Sequence, residues 1–380
     1  MTRVEQRGSL AVAEGSAPCP SLRVHGGPAD AELRALGLNA EDIVDFSSSI
    51  NPYGPHPLIL RALRSASIER YPDSTALVAR EALARLDATT PDRIVLGNGA
   101  AELLWTLARC WLTRGERALI AEPTFSEFRA AALACGAGVS QQRAEVETGF
   151  RLDLAGIFDA AERARAGVVY LCSPNTPTGS AAAASEVAAC AELHPDIRVV
   201  LDQSFLSSSE CFVDAAVEMP DNVVRVRSLT KDHAIPGVRV GYLLASPEVT
   251  ARVEANRPAW TTSAFAQAAA IACAGGAGFV AESRQRLLED RRALAHDLAS
   301  LGIETLPSRA TFLLARVPDA RRLRSALLAR HAILIRDCES FGLPGFIRLA
   351  AKPFAARTRL IAALEAERGA ARRVATEPSC

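Results

Sequence analysis

Six short apolar runs, each closed by glycine or polar residues and set apart by longer stretches, constrain this chain more than any other feature. They read IVLGNG, ALIAEP, VVYLCSP, RVVLDQSF, VVRVRS and VRVGYLLA and fall between residues 94 and 245. The spacing between them predicts helices over 102–112, 126–135 and 181–193. A strand that is apolar on both faces has no solvent side, and parallel neighbours need a crossover helix. The alternation therefore predicts a mostly parallel sheet covered on both faces. Ligands of such sheets collect at the carboxyl ends of the strands. Polar clusters stand there, at 97–102, 122–125, 173–179, 202–205 and 228–231.

The flanks follow other patterns. Residues 1–20 mix Gly, Ser, Pro and charge without periodicity, as a flexible N-terminal arm does. Residues 21–55 contain SLRVHGG and then DIVDFSSSINPYG, which reads as a short strand ending at Asn51 in a Pro-Gly turn. HPLILRALRSASIERYP reads as an amphipathic helix stopped by Pro72, with a second helix over 74–86. Residues 56–265 are expected to form the large domain. Residues 266–368 form a smaller unit: a long charged helix over 281–301, antiparallel strands TFLLARV, AILIRDC and GFIRLAA, and a closing helix over 353–368. Residues 369–380 read as a disordered tail. The fold class is α/β, a large mostly parallel domain with a smaller α/β C-terminal domain.

Lys plus Arg equals Asp plus Glu, 43 each, so no net field recruits nucleic acid or an anionic membrane. No stretch approaches the ~20 apolar residues of a membrane span, and the leading segment has only the short apolar run 10–13. The nine cysteines show no paired spacing, so no metal site or disulfide framework is expected. They suit a reduced, cytoplasmic protein. The expected partners are a small molecule and a second copy of the chain.

The stretch with the most chemistry is RSLTKDHAIPGVRVGY, residues 227–242. Lys231 is an amine flanked by the hydroxyls of Ser228 and Thr230 and followed by Arg239. A covalent imine to a phosphorylated aldehyde uses all of these: the lysine makes the bond, and Ser228 and Arg239 neutralise the phosphate. A solvated lysine at a strand end is the alternative.

GNGAAE, EPTF, SPNTPTG, DQSF, SLTK and VRVGY occur in one order, and with them residues 22 to about 368 resemble the aminotransferase class I and II superfamily of fold type I. The resemblance implies pyridoxal 5′-phosphate as cofactor and assigns roles. Gly99, Ala100 and Ala101, at a helix start, would hold its phosphate with Ser228 and Arg239. Phe125 would stack on the ring, and Asn175 and Thr176 belong to a cofactor-binding motif. Asp202 would pair with the protonated pyridine nitrogen and make the ring an electron sink, while Lys231 anchors the cofactor and moves protons. Those two are the implied catalytic residues. Tyr71, in RYPD, matches a tyrosine that reaches the cofactor phosphate of the other subunit, which implies a homodimer with shared sites. Arg348 matches an arginine that grips a substrate carboxylate.

HGG at 25–27, SINPYG at 49–54 and LIRDCESFG at 334–342 narrow the resemblance to the group holding histidinol-phosphate aminotransferase and threonine-phosphate decarboxylase. This implies His25, Asn51 and Arg336 on a substrate phosphate. HGG before DFSxxINPxG, together with Phe205, is more similar to the decarboxylase of cobalamin biosynthesis, so decarboxylation of a phosphorylated amino acid is the expected activity. The alternatives are a histidinol-phosphate-type aminotransferase and a specialised relative with altered bond-breaking chemistry. Four places depart from the family: Thr176 where asparagine is usual, Phe205 where tyrosine is, Gln203–Ser204 in DQSF, and Asp232–His233 after the lysine.

Overall fold

The structure, a computed structural model, describes residues 26–376. The first strand, β1 (Val44–Asp45), lies in the small domain. The large domain holds β2 (Ile94–Gly97), β3 (Arg117–Glu122), β4 (Gly138–Arg143), β5 (Val168–Cys172), β6 (Arg198–Asp202), β7 (Val223–Ser228) and β8 (Gly241–Leu244). These seven form one sheet in the order β2-β8-β7-β6-β5-β3-β4. Every pairing from β7 to β4 is parallel, and β8 alone runs against its neighbours.

The apolar runs become strands because alternate residues serve two layers. Val95, Ile120, Tyr170, Val200, Val224 and Leu243 pack on Leu103, Leu104 and Leu107 of the helix Ala100–Trp111. Their neighbours Leu119, Val169, Leu171, Val199 and Leu201 pack on Leu154, Ile157 and Phe158 of the helix Leu154–Ala164. β4, read GVSQQR, has no apolar run to announce it. It is the sheet's edge, where partial exposure admits polar side chains.

The small domain adds β9 (Phe312–Arg316), β10 (Ile333–Leu334), β11 (Arg336–Asp337) and β12 (Phe346–Ala350). β1 pairs in parallel with β10, while β11, β12 and β9 form an antiparallel sheet. One face of that sheet, Leu313, Ala315, Ile347 and Leu349, is sealed by Leu294, Leu298, Leu360 and Leu364 of the helices Ala277–Ser300 and Phe354–Thr376. The other face carries Arg336 opposite Arg348 and Arg348 opposite Leu314. Two guanidiniums therefore leave this sheet on the side away from its core.

Several boundaries differ from the sequence reading. β1 stops at Asp45 because that carboxylate accepts hydrogen bonds from the amides of Ser47 and Ser48, which turns the chain before Asn51. The helix expected to reach Pro72 is Pro57–Arg64, capped by Ser65, and Ile68 and Tyr71 beyond it are exposed, so no apolar face is buried by continuing the helix. Its successor is Leu77–Leu86, delayed because Asp73 accepts from the Thr75 and Leu77 amides. VRVGYLLA yields only Gly241–Leu244: Pro236–Val238 is a 3-10 turn and Arg239 has φ +59°. The tail is not disordered from Gly369, since the closing helix continues to Thr376 through the strong helix formers Ala370, Ala371, Arg372 and Arg373. No single helix among the described residues is long and apolar enough to cross a membrane.

Candidate active site

The carboxyl ends of β5, β6 and β7 open with the start of the helix Ala100–Trp111 into one cavity of about 300 Å³, which the two arginines of the small sheet close. Ala100, Ala101, Phe125, Thr176, Asp202, Ser228, Lys231, Arg239, Arg336 and Arg348 all line it. Sequence reading therefore placed ten residues that the fold brings together.

At one end is an anion seat. The first amides of an α-helix have no intrahelical partner, and its dipole favours negative charge there. Gly99 caps that helix with φ +81°, and a Cβ on it would stand 2.6 Å from Nη2 of Arg239. A Cβ on Gly241 would stand 2.8 Å from the Ala100 amide nitrogen. Both glycines thus let backbone and guanidinium converge on one spot. The hydroxyls of Ser228 and Thr230, 2.8 Å apart, complete it.

At the centre, Lys231 Nζ makes no hydrogen bond to any of the described residues and lies 4.4 Å from the centroid of Phe205. Burial lowers its proton affinity below that of an ordinary lysine, opposed by Asp202 and Asp232. Asp202, buried at the end of β6, accepts from the Tyr170 hydroxyl at 3.0 Å and the Ser204 amide at 2.9 Å. Tyr170 was not legible as a site residue. It lies mid-strand in an apolar run, and only the parallel β5–β6 register brings it beside Asp202.

Across the cavity, Arg348 is buried without a carboxylate partner among the described residues. It donates to the Thr176 hydroxyl and the Ser47 carbonyl, its Nε bonds to nothing, and burial lowers its value to about 10. An unneutralised buried cation facing a cavity calls for an anion. Arg336 donates to Ser340 at 2.6 Å from the neighbouring strand.

Three expected residues fall elsewhere, and a fourth cannot be placed. Asn51 braces the lysine loop: its amide donates to the Asp232 carbonyl at 2.8 Å and its backbone N–H to the Lys231 carbonyl, so it is not free for a phosphate. Asn175 is consumed by the Pro123 carbonyl, Thr178 and Thr124, because a buried amide must be satisfied, and it does not line the cavity. Tyr71 is exposed at 80% and stacks on Trp260 at 4.7 Å, away from this chain's own cavity. His25 lies outside the described residues; its neighbour Gly26 lines the cavity, where a Cβ would meet the Ser47 carbonyl at 2.5 Å.

The arrangement can hold a phosphate at one end, an aromatic ring between Phe125 and the β6 terminus, a protonated ring nitrogen at Asp202 and an aldehyde carbon at Lys231. The residues present fit the phosphorylated aldehyde that the motifs imply.

Comparisons with known proteins agree with this geometry. The sequence profile described as "Aminotransferase class I and II" matches residues 41–364. A histidinol-phosphate aminotransferase of Symbiobacterium thermophilum is 33% identical over 354 residues, which is 91% of this chain and 96% of that protein. The crystal structure of histidinol-phosphate aminotransferase from Sinorhizobium meliloti, in complex with pyridoxal-5′-phosphate, superposes with a TM-score of 0.82 at 26% identity and covers 92% of this chain and 97% of its own. L-threonine-O-3-phosphate decarboxylase from Porphyromonas gingivalis superposes with a TM-score of 0.75 at 27% identity, covering 85% and 99%.

Proposed function

Because the chain belongs to the aminotransferase class I and II family, with the fold type I architecture and pyridoxal 5′-phosphate as cofactor, we propose that it is an aminotransferase for a phosphorylated amino compound of the histidinol phosphate type. The observation that carries this reading is a single cavity with a proton-poor amine at its centre and two guanidiniums at its far side. Histidinol phosphate brings an amine and a phosphate, and glutamate an amine and two carboxylates. One pair of arginines can seat the anions of either. The relatives' names support the same reading, so transamination goes ahead of the decarboxylation that Phe205 and DFSxxINPxG suggested.

When bound, the cofactor supplies a cationic ring that accepts electron density from the substrate carbon bearing nitrogen. Asp202, held by Tyr170 and Ser204, keeps a proton on the ring nitrogen. Lys231 takes the proton from the substrate α-carbon and returns it at the cofactor's C4′, and burial, by lowering its proton affinity, favours the neutral amine this needs. Arg348 and Arg336 would hold the anionic groups of the substrate and so select which bond at its nitrogen-bearing carbon is labilised. Phe341, Ser48, Ser49 and Ile50 complete the cavity wall. In a homodimer, the exposed Tyr71 would reach the partner's phosphate seat.

The test is direct. Purified protein incubated with histidinol phosphate and 2-oxoglutarate should form glutamate, and Arg348→Ala should raise KM for the acceptor at least tenfold. Glutamate production absent for every phosphorylated amino compound tried would overturn the reading. Decarboxylation stands second on the Porphyromonas gingivalis likeness; carbon dioxide from threonine phosphate, with no keto acid formed, would put it first.

A further inference from the structure

Two cations on opposite sides of the cavity rest on two rings that touch each other. Lys231 Nζ lies 4.4 Å from the centroid of Phe205, and Phe205 meets Phe312 edge-on with centroids 5.0 Å apart at 73°. The Arg348 guanidinium carbon is 5.3 Å from the centroid of Phe312. The rings come from different domains: Phe205 follows β6, and Phe312 opens β9. With Ala310 they form a buried cluster of their own, Phe205 being 4% exposed and Phe312 fully covered. The β9–β12 register sets the second contact. Leu314 is opposite Arg348, so Phe312, two residues earlier, projects from the same face.

A tyrosine hydroxyl is usual where Phe205 stands, yet what this residue offers Lys231 is the negative face of its ring. Among the described residues Nζ has no hydrogen-bond acceptor, and a ring face attracts a desolvated ammonium more strongly than one in water. We propose that Phe205 is a positioning residue that seats the Lys231 amine through its π face, and that Phe312 holds this ring in place from the small domain. The proposal rests on Lys231 being the cofactor-bearing amine. The charged and titratable groups facing Lys231 are Asp202 on β6, the adjacent Asp232, Cys172 on β5 and Arg348 on β12. Phe205→Leu replaces none of them, whereas Phe312→Leu also removes the ring under Arg348.

Lys231 and Lys352 are the two lysines of the chain. Competitive acetylation of the full-length chain freed of cofactor, followed by mass spectrometry, therefore reads each separately. Phe205→Leu keeps an apolar side chain and removes the face. The midpoint of Lys231 labelling should fall by about one pH unit while that of Lys352 stays. Phe205→Tyr should keep the Lys231 midpoint, and Phe312→Leu should give a smaller fall. A Lys231 midpoint unchanged in Phe205→Leu, or equal falls at both lysines, overturns the proposal. Should Phe205→Leu fail to fold, Phe312→Leu decides: an unchanged Lys231 midpoint there overturns it as well. A wild-type chain that takes up no cofactor would defeat the functional reading instead, and acetylation, which needs no cofactor, would still decide on the rings.

Discussion

At Lys231 the burial that strips water from the amine also favours its neutral form, which is what an imine-forming and proton-moving lysine requires. Borohydride reduction of the holoenzyme should fix the cofactor to Lys231, and Lys231→Ala should abolish that label; mass spectrometry has one other lysine, Lys352, to distinguish. The next two residues carry a pH dependence of their own. Burial lowers the His233 ring from 6.5 to about 4, and its buried Nδ1 has no partner. The unfolded chain binds the proton first, so stability from the neutral ring is complete above pH 6.5 and is lost as pH falls through about 4. That gap is worth about 3 kcal/mol. Asp232 has the opposite sign: burial raises it from 3.8 to about 6, so its contribution is present below 3.8 and lost as pH rises through 6. His233→Asn should therefore flatten the acid side of a melting-temperature profile between pH 6.5 and 4 and leave the neutral side's slope alone. An unaltered acid limb would remove His233 from the account.

At the scale of elements, the junction between β2 and the helix Ala100–Trp111 does two jobs through one glycine. Gly99 turns the chain at φ +81° and leaves room for Arg239. Gly99→Ala should cost cofactor affinity tenfold or more, through a strained cap and a displaced guanidinium, while the apolar helix behind it keeps the fold. Absorbance titration with pyridoxal 5′-phosphate measures the first effect and thermal melting the second. Much of this junction was legible, because GNGAAE follows an apolar run and precedes a helical pattern. The fates of Asn51 and Asn175 were not. Each is a polar residue in a site motif, but the fold spends their amides on the Lys231 loop and the Pro123 turn. Hydrogen-bond partners 181 and 52 residues away leave no trace in local pattern.

At the scale of the whole molecule, Ile68, Tyr71, Val78 and Trp260 of the large domain are exposed apolar side chains, with Tyr71 stacked on Trp260. Covering by a second copy would bury them and bring Tyr71 to the partner's cavity. Sedimentation should then give a dimer. Mixed refolding of inactive Tyr71→Ala with inactive Lys231→Ala should recover activity, since one hybrid site keeps both residues. A monomeric protein, or mixtures without recovery, would confine the site to a single chain.

The sequence by itself determined the α/β class, through periodicity, and its motif strings, through their resemblance to a known family, pointed to the lysine, aspartate and arginines as site residues. The missing edge strand β4, the early helix stops at Arg64 and the late start at Leu77 depended on exposure and on side chains that cap turns. Tertiary structure alone decided the cavity's working geometry. Tyr170 reaches Asp202 through strand register, and Lys231 and Arg348 are brought to one cavity, each against one of two touching rings from different domains. Contacts between residues far apart in sequence follow from how sheets and domains pack, and no local pattern encodes that packing.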